Sequence, residues 1–296
     1  MNVHWQATTF SHQLAVQLRL SEPPVKGVEI YWLGQAGFLL RSGTHCVVID
    51  PYLSDSLAEK YRDRPLPHQR MMAAPIQPDM LTMTTHLLVT HHHTDHMDGA
   101  TLTPLLALAT EAELVAPRAS LALAAERSRL SGKRLKGINA GEKMCLAPGL
   151  TVQAVRASHE TLEKDNQGNF RFLGYVIDLD GMRIFHSGDT IPFPGQVDEL
   201  SALAIDLALL PVNGRSEALH ACGVPGNLTL TEALLLCQQC EIRYMIAHHY
   251  GLFDFNTADP AAIDAAACSV AMPELLCARL NTRYYFEKRL SAEMNE

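Results

Sequence analysis

Short apolar runs punctuated by glycine, proline and serine dominate the chain. They predict strands over 28–33, 36–41 and 45–49, with breaks at Gly34 and at Ser42-Gly43. Residues 1–25 read as helical and then irregular, ending at Pro23-Pro24, so 1–27 stands as an N-terminal extension. Residues 53–80 form a long polar loop rich in proline (Pro65, Pro67, Pro75 and Pro78). Beyond it the pattern predicts strand 86–90, a helix near 101–110, strand 113–116 and a helix over 117–130. Strands follow near 135–138, 143–147, 150–157, 172–179 and 182–187. The last third reads as strand 206–211, helix 229–239, strand 243–247, helix 259–271 and a terminal strand 283–287. Thr229 with Glu232 three residues on predicts a capped helix start there, with Asn227 an alternative cap. No linker or repeat interrupts the series. A β-rich first half with interleaved helices predicts one α/β domain over 1–296, built as a four-layer αββα sandwich.

Composition narrows the classes. The 296 residues are 47% hydrophobic, enough to bury a large core. A net charge of −8 argues against an exposed basic footprint, so no nucleic-acid partner is expected. No apolar run reaches the ~18 residues of a membrane span, and the N-terminal residues lack a secretory pattern, so neither membrane nor export is expected. Seven cysteines, an odd number scattered among helix- and strand-like segments, suit reduced thiols and a cytoplasmic location. Cys237 and Cys240 form a lone CxxC inside a helical pattern and read as buried thiols. An acidic protein with extended sheet edges is expected to form a homo-oligomer.

One segment changes the picture. HLLVTHHHTDHMDG (86–99) contains His91, His93, Asp95 and His96 in the spacing HxHxDH. With 14 histidines in the chain, chance predicts roughly 0.002 such matches. Three imidazoles and a carboxylate within six residues point to bound cations. A single ion with three ligands would leave Asp95 or His96 idle, whereas two adjacent ions use all four. Further ligand types follow other apolar runs: His159 after VQAVRAS, Asp189 in RIFHSGDT, and His248 and His249 in RYMIAHHYG. His92 and His248 alternate with their neighbours on an extended backbone, so they are expected to support the fold. His186 reads as a support for the ligands as well.

The order HxHxDH, lone His, GDT, late His resembles the metallo-β-lactamase superfamily of hydrolases. YWLGQAGFLLRSG (31–43) and VVIDPYLSD (47–55) resemble the branch containing L-ascorbate-6-phosphate lactonase, and the likeness runs from about Val28 to Pro260. The resemblance implies the metallo-β-lactamase fold. It also implies that His91, His93 and His159 bind one metal, that Asp95, His96 and His249 bind a second, and that Asp189 bridges both while Asp50 backs the site. Two divalent ions are expected, Zn2+ or Mn2+: the lactonase likeness admits manganese, and a histidine at 159 favours zinc.

Two dications, Asp95, Asp189 and one hydroxide leave a net positive charge, suited to an anionic or carbonyl-bearing substrate. Ions ~3.5–4 Å apart lower the pKa of a shared water to about 7, so a metal-bridging hydroxide is available for attack. Asp95 is the residue expected to orient that hydroxide and shuttle its proton. The expected activity is opening of a lactone or ester in a small anionic, phosphorylated sugar-acid-like substrate. The alternatives are a phosphodiesterase on a small phosphodiester or nucleotide, and a non-catalytic metal sensor. Substrate candidates are Arg70, with Arg62 and Arg64, on the 53–80 loop, Asn213 and Arg215 in PVNGRS, and Tyr250 beside His249.

Overall fold

The apolar runs pair into two sheets. The computed structural model describes residues 2–289, and among these fifteen strands form an eight-stranded and a seven-stranded sheet. The first sheet runs β1 (Asn2–Thr9), β15 (Thr282–Arg289), β2 (Val28–Gly34), β3 (Gly37–Ser42), β4 (His45–Ile49), β5 (His86–Leu88), β6 (Glu113–Pro117), β7 (Leu135–Ile138). The second runs β14 (Glu274–Cys277), β13 (Tyr244–His248), β12 (Leu207–Pro211), β11 (Met182–His186), β10 (Leu173–Leu179), β9 (Leu150–Arg156), β8 (Lys143–Ala147). Strands β4 to β7 are parallel, as are β11 to β14, and the other pairings are antiparallel.

The N-terminal expectation fails. Residues 2–9 form strand β1 rather than a helix, paired along their whole length with β15. A period of two explains it: Val3 and Trp5 pack toward the core while His4 and Gln6 face water. The Trp5 ring stacks on Phe286, 6.3 Å between centroids, and its indole N–H donates to Glu274 (2.7 Å). Only the short helix α1 (Leu14–Leu20) follows, with Leu14, Ala15 and Leu18 buried. The segment expected as an extension is therefore woven into the first sheet. The 53–80 loop contains a one-turn helix, α2 (Ser56–Lys60).

Alternation decides the layers. In β2, Val28, Ile30 and Trp32 face the second sheet, whereas Tyr31 and Leu33 join a separate apolar cluster. That outer cluster holds Leu102, Leu105 and Leu106 of α3 (Gly99–Leu108) and Ala124 of α4 (Leu121–Ser128). On the far side α5 (Gln196–Ser201) and α7 (Leu230–Gln239) cover the second sheet, with α8 (Pro260–Ala267) against β14. Between α5 and α7 lies the short α6 (Glu217–Ala221). Four layers, αββα, result, and the central strands are apolar on both faces because both are covered. The short elements α2, α5, α6 and β14 go beyond the elements expected from the sequence: runs of four to six residues carry too little periodicity to register. Thr229 does cap α7, its Oγ accepting from Glu232 N–H (3.2 Å) while Glu232 accepts from Thr229 N–H (2.9 Å). No described helix is long and apolar enough to cross a membrane.

Candidate metal centre

Six loops leave the sheets at one rim. Gln35 follows β2, Asp50 follows β4, and residues 91–96 follow β5; His159, Asp189 and His249 follow β9, β11 and β13. Parallel strands end on the same side, and so functional side chains from both halves of the chain converge. Three of these residues, Gln35 (φ 51°), Asp50 (φ 44°) and His249 (φ 65°), adopt left-handed backbone, a strain that concentrates at functional sites.

The structure brings the seven expected ligands together. Three overlapping groups have donor atoms within 4.8 Å of one another: His91, His93 and His159; His91, His96 and Asp189; Asp95, His96 and His249. Asp189 sits where the groups meet. Its Oδ2 lies 3.3 Å from His96 Nε2, 3.5 Å from His159 Nε2 and 3.3 Å from His249 Nε2. Gly188, immediately before it, has φ +60°, and a Cβ there would approach Leu173 O to 2.6 Å and Thr90 Cβ to 2.9 Å. Only glycine lets the chain turn Asp189 inward at that point.

Three of the histidines, His91, His96 and His159, are aimed by a partner behind the ring. Asp50 is fully buried: its Oδ1 accepts from Thr90 N–H (2.8 Å), its Oδ2 from Thr90 Oγ–H (2.5 Å) and from His96 Nδ1–H (2.7 Å). His91 Nδ1 lies 3.0 Å from Thr90 Oγ, and His159 Nδ1–H donates to Gly226 O (3.0 Å). With Nδ1 engaged, each ring presents Nε2 to the cluster. The Phe172 ring lies beneath, 5.1 to 5.6 Å from the rings of His91, His92, His93 and His159, and limits their rotation.

Do these residues suit a divalent ion? His91 Nε2, His96 Nε2 and Asp189 Oδ1 are buried without a hydrogen-bond partner, in a set of imidazole and carboxylate donors. Orphaned lone pairs of that kind are costly unless a cation takes them. Charge agrees. Burial, then the neighbouring His96 and His93, hold His91 well below its ordinary pKa, and burial pushes His159 down to about 4, so both stay neutral and able to donate. His96 behaves oppositely. Burial opposes its charge, but the Asp189, Asp50 and Asp95 carboxylates outweigh it and hold its pKa well above the ordinary value. Burial opposes ionisation of Asp189 too, yet His249 and His96 hold its pKa well below the carboxylate range. The donor set fits divalent metal.

Other expected residues fall elsewhere. Arg70 is spent on backbone carbonyls, its Nη1–H donating to Tyr52 O (2.9 Å) and Ser54 O (3.2 Å). Arg215 forms a two-pronged pair with Glu232 (2.7 and 2.6 Å). Asn213 Nδ2–H donates to Asn256 (2.7 Å), and the Tyr250 hydroxyl turns away to Ala278 O. None of the four, nor Arg62 or Arg64, lines the cavity above the ligands, because each side chain is committed to holding a loop or is directed outward. His186 Nε2–H donates to Ala36 O (2.8 Å) and its Nδ1 accepts from Gly188 N–H (3.1 Å), which braces the turn before Asp189. His248 packs under the site against Phe38 and His186. His92 departs from its expected supporting place: residues 91–96 turn rather than extend, and His92 reaches the cavity wall.

Several cavity residues carry little signal in the sequence. Gln35 donates from Nε2 to Asp95 Oδ2 (3.0 Å) and holds that carboxylate beside His249; its only signal is a polar residue in the Gly34–Gly37 turn. Arg127 Nη1–H donates to His92 O (2.6 Å) and Met97 O (3.0 Å), clamping the histidine loop from α4. Tyr61, His68, Phe253 and Phe255 complete a cavity of about 280 Å³.

Comparison with known proteins bears on this arrangement. The beta-lactamase superfamily domain matches residues 45–250. A UPF0173 metal-dependent hydrolase of Thermoplasma acidophilum is 28% identical over 253 residues, covering 83% of this chain and 93% of that protein. Among solved structures, a metallo hydrolase from Ignicoccus hospitalis superposes with TM-score 0.62 at 20% identity, over 89% of this chain and 99% of that one. An isothiocyanate hydrolase from Delia radicum gut bacteria gives TM-score 0.65 at 16% identity, over 84% and 95%. The αββα architecture is the metallo-β-lactamase fold.

Proposed function

The chain belongs to the beta-lactamase superfamily, and from that premise we propose that it is a metal-dependent hydrolase with two divalent ions that opens an ester or lactone in a small anionic substrate. The observation that carries the proposal is the position of Asp189 Oδ2, within 3.5 Å of an imidazole nitrogen from each of His96, His159 and His249. One carboxylate at the meeting point of overlapping donor groups suits two neighbouring cations better than one. Relatives described as metal-dependent hydrolases support the metal-dependent hydrolase part of this reading.

When bound, such ions polarise the scissile oxygen and supply hydroxide near neutral pH. The chain's own residues do the rest. His91, His93 and His159 would hold one ion, Asp95, His96 and His249 the other, with Asp189 between. Gln35 occupies Asp95 Oδ2, which leaves Oδ1 to accept a hydrogen bond from the nucleophile. Burial disfavours the charge on Asp95, but His96, His249 and His93 together outweigh it and lower its pKa, so the carboxylate stays ionised. Lys60 and Arg127 line the cavity and favour an anion there, and about 280 Å³ restricts it to a small one. The arginines expected to grip a phosphate are engaged elsewhere, so the proposal does not retain a phosphoryl group.

Turnover of carboxylate-bearing lactones and esters, set against bis-p-nitrophenyl phosphate at matched metal loading, tests the reading. Faster cleavage of the ester or lactone is expected. Faster cleavage of the phosphodiester, or full activity in Asp95→Asn, overturns it.

A further inference from the structure

The cavity lining divides into two chemistries. Beside the metal-ligating side chains stands a continuous aromatic cluster drawn from two loops. Tyr61 stacks on His68 at 4.2 Å, with 22° between ring planes. Phe253 and Phe255 meet the same imidazole edge-on at 5.0 and 4.8 Å, and their own rings are parallel within 4° at 5.9 Å. All four line the cavity. Tyr52 and Leu252, both fully buried, pack with them, so the cluster is backed by buried apolar side chains.

His68 adds a flat face to this wall and no charge. Its Nδ1–H donates to Leu66 O (2.8 Å), and burial lowers its pKa from a value already below neutral. Phe253 lies four residues beyond the ligand His249, so wall and ligand cluster are carried on one loop. Tyr61, His68 and Phe255 are half-buried at the edge of this cluster, whereas Phe253 is buried within it. A flat apolar group would stack on these faces.

We propose that the half-buried rings of Tyr61, His68 and Phe255, held in place by the buried Phe253, select the substrate, an ester or lactone that carries a planar apolar ring close to its carboxylate. The assignment deepens the hydrolase reading of the same cavity and rests on it for the bond that is cleaved. The ring stacks on the wall while the carbonyl faces the ligand cluster.

Phenylsuccinate and succinate, together with their monomethyl esters, test the assignment with charge and leaving group held constant. Calorimetric titration of the zinc-loaded protein is expected to show phenylsuccinate binding about tenfold tighter than succinate. The preference is expected to fall below about threefold in Phe255→Ala, with Phe255→Leu intermediate because it keeps bulk without the ring face. Equal affinity for the two diacids, or a preference unchanged in a folded Phe255→Ala and Phe255→Leu pair, overturns the wall. Hydrolysis of the two monomethyl esters, followed by pH-stat, separates the two claims. Cleavage of neither ester with the binding preference intact supports the wall and refutes the hydrolase reading. Cleavage of both esters at equal kcat/KM without a binding preference refutes the wall and leaves the hydrolase reading standing.

Discussion

Asp50→Asn isolates the hydrogen-bond relay that aims His96. Asparagine matches aspartate in shape and tolerates the left-handed backbone of this position (φ 44°), so the change replaces one oxygen by NH2 and little else. Asp50 accepts three hydrogen bonds, from Thr90 N–H, Thr90 Oγ–H and His96 Nδ1–H. An asparagine amide cannot accept all three. With its oxygen toward Thr90 N–H, the NH2 faces His96 Nδ1–H, and His96 regains a partner only by moving its proton to Nε2, the atom needed for the metal. With the amide flipped, the NH2 faces the buried backbone N–H of Thr90 and loosens the β4–β5 link at the root of the ligand loop. Either way a buried donor is orphaned, at about 1–3 kcal/mol. Metal affinity should fall about 10- to 100-fold, the usual effect of removing the group behind a ligating histidine. Titration against a chromophoric chelator reads the affinity, and urea unfolding of the metal-free protein reads the stability. A variant that binds metal as tightly as the native protein and unfolds at the same urea concentration would refute the relay.

Other expectations follow from the same geometry. Gly188→Ala adds a Cβ 2.6 Å from Leu173 O at positive φ, and the left-handed penalty plus crowding should cost about 3 kcal/mol in urea unfolding. Wild-type stability in that variant would show that the turn can relax. Metal-free protein should weaken on acidification: His92 and His159, with folded pKa values of about 4, stay neutral in the native state while the unfolded chain takes up protons. Stability contributed by these groups is complete above about pH 6.5 and declines from there toward pH 4. A chelator-treated sample whose melting temperature holds flat across that window would contradict the assignment. Arg215→Ala removes an exposed pair with Glu232 outside the cavity; kcat/KM should change less than about twofold, with stability down by ~1 kcal/mol or less. A hundredfold loss would mean that Arg215 reaches the substrate.

The amino-acid sequence by itself determined the alternation of sheets and helices and the local donor spacing. Strands such as β2 to β4 and β9 to β11 were legible because long apolar runs have few other ways to be buried. HxHxDH was legible because six residues cannot separate their side chains far. Strand β1 went unread because its role depends on β15, about 280 residues away in the chain. Tertiary structure alone decided what surrounds the donors. Arg70, Arg215 and Tyr250 carry chemistry suited to a substrate, yet their nearest partners turn out to be carbonyls and a carboxylate of the scaffold itself. Gln35, Arg127 and the aromatic wall come from four separate segments that only the closure of the two sheets brings to one rim. Pattern along a chain reports which faces must be buried; which polar group meets which is set by distances between segments, and those exist only once the layers have packed.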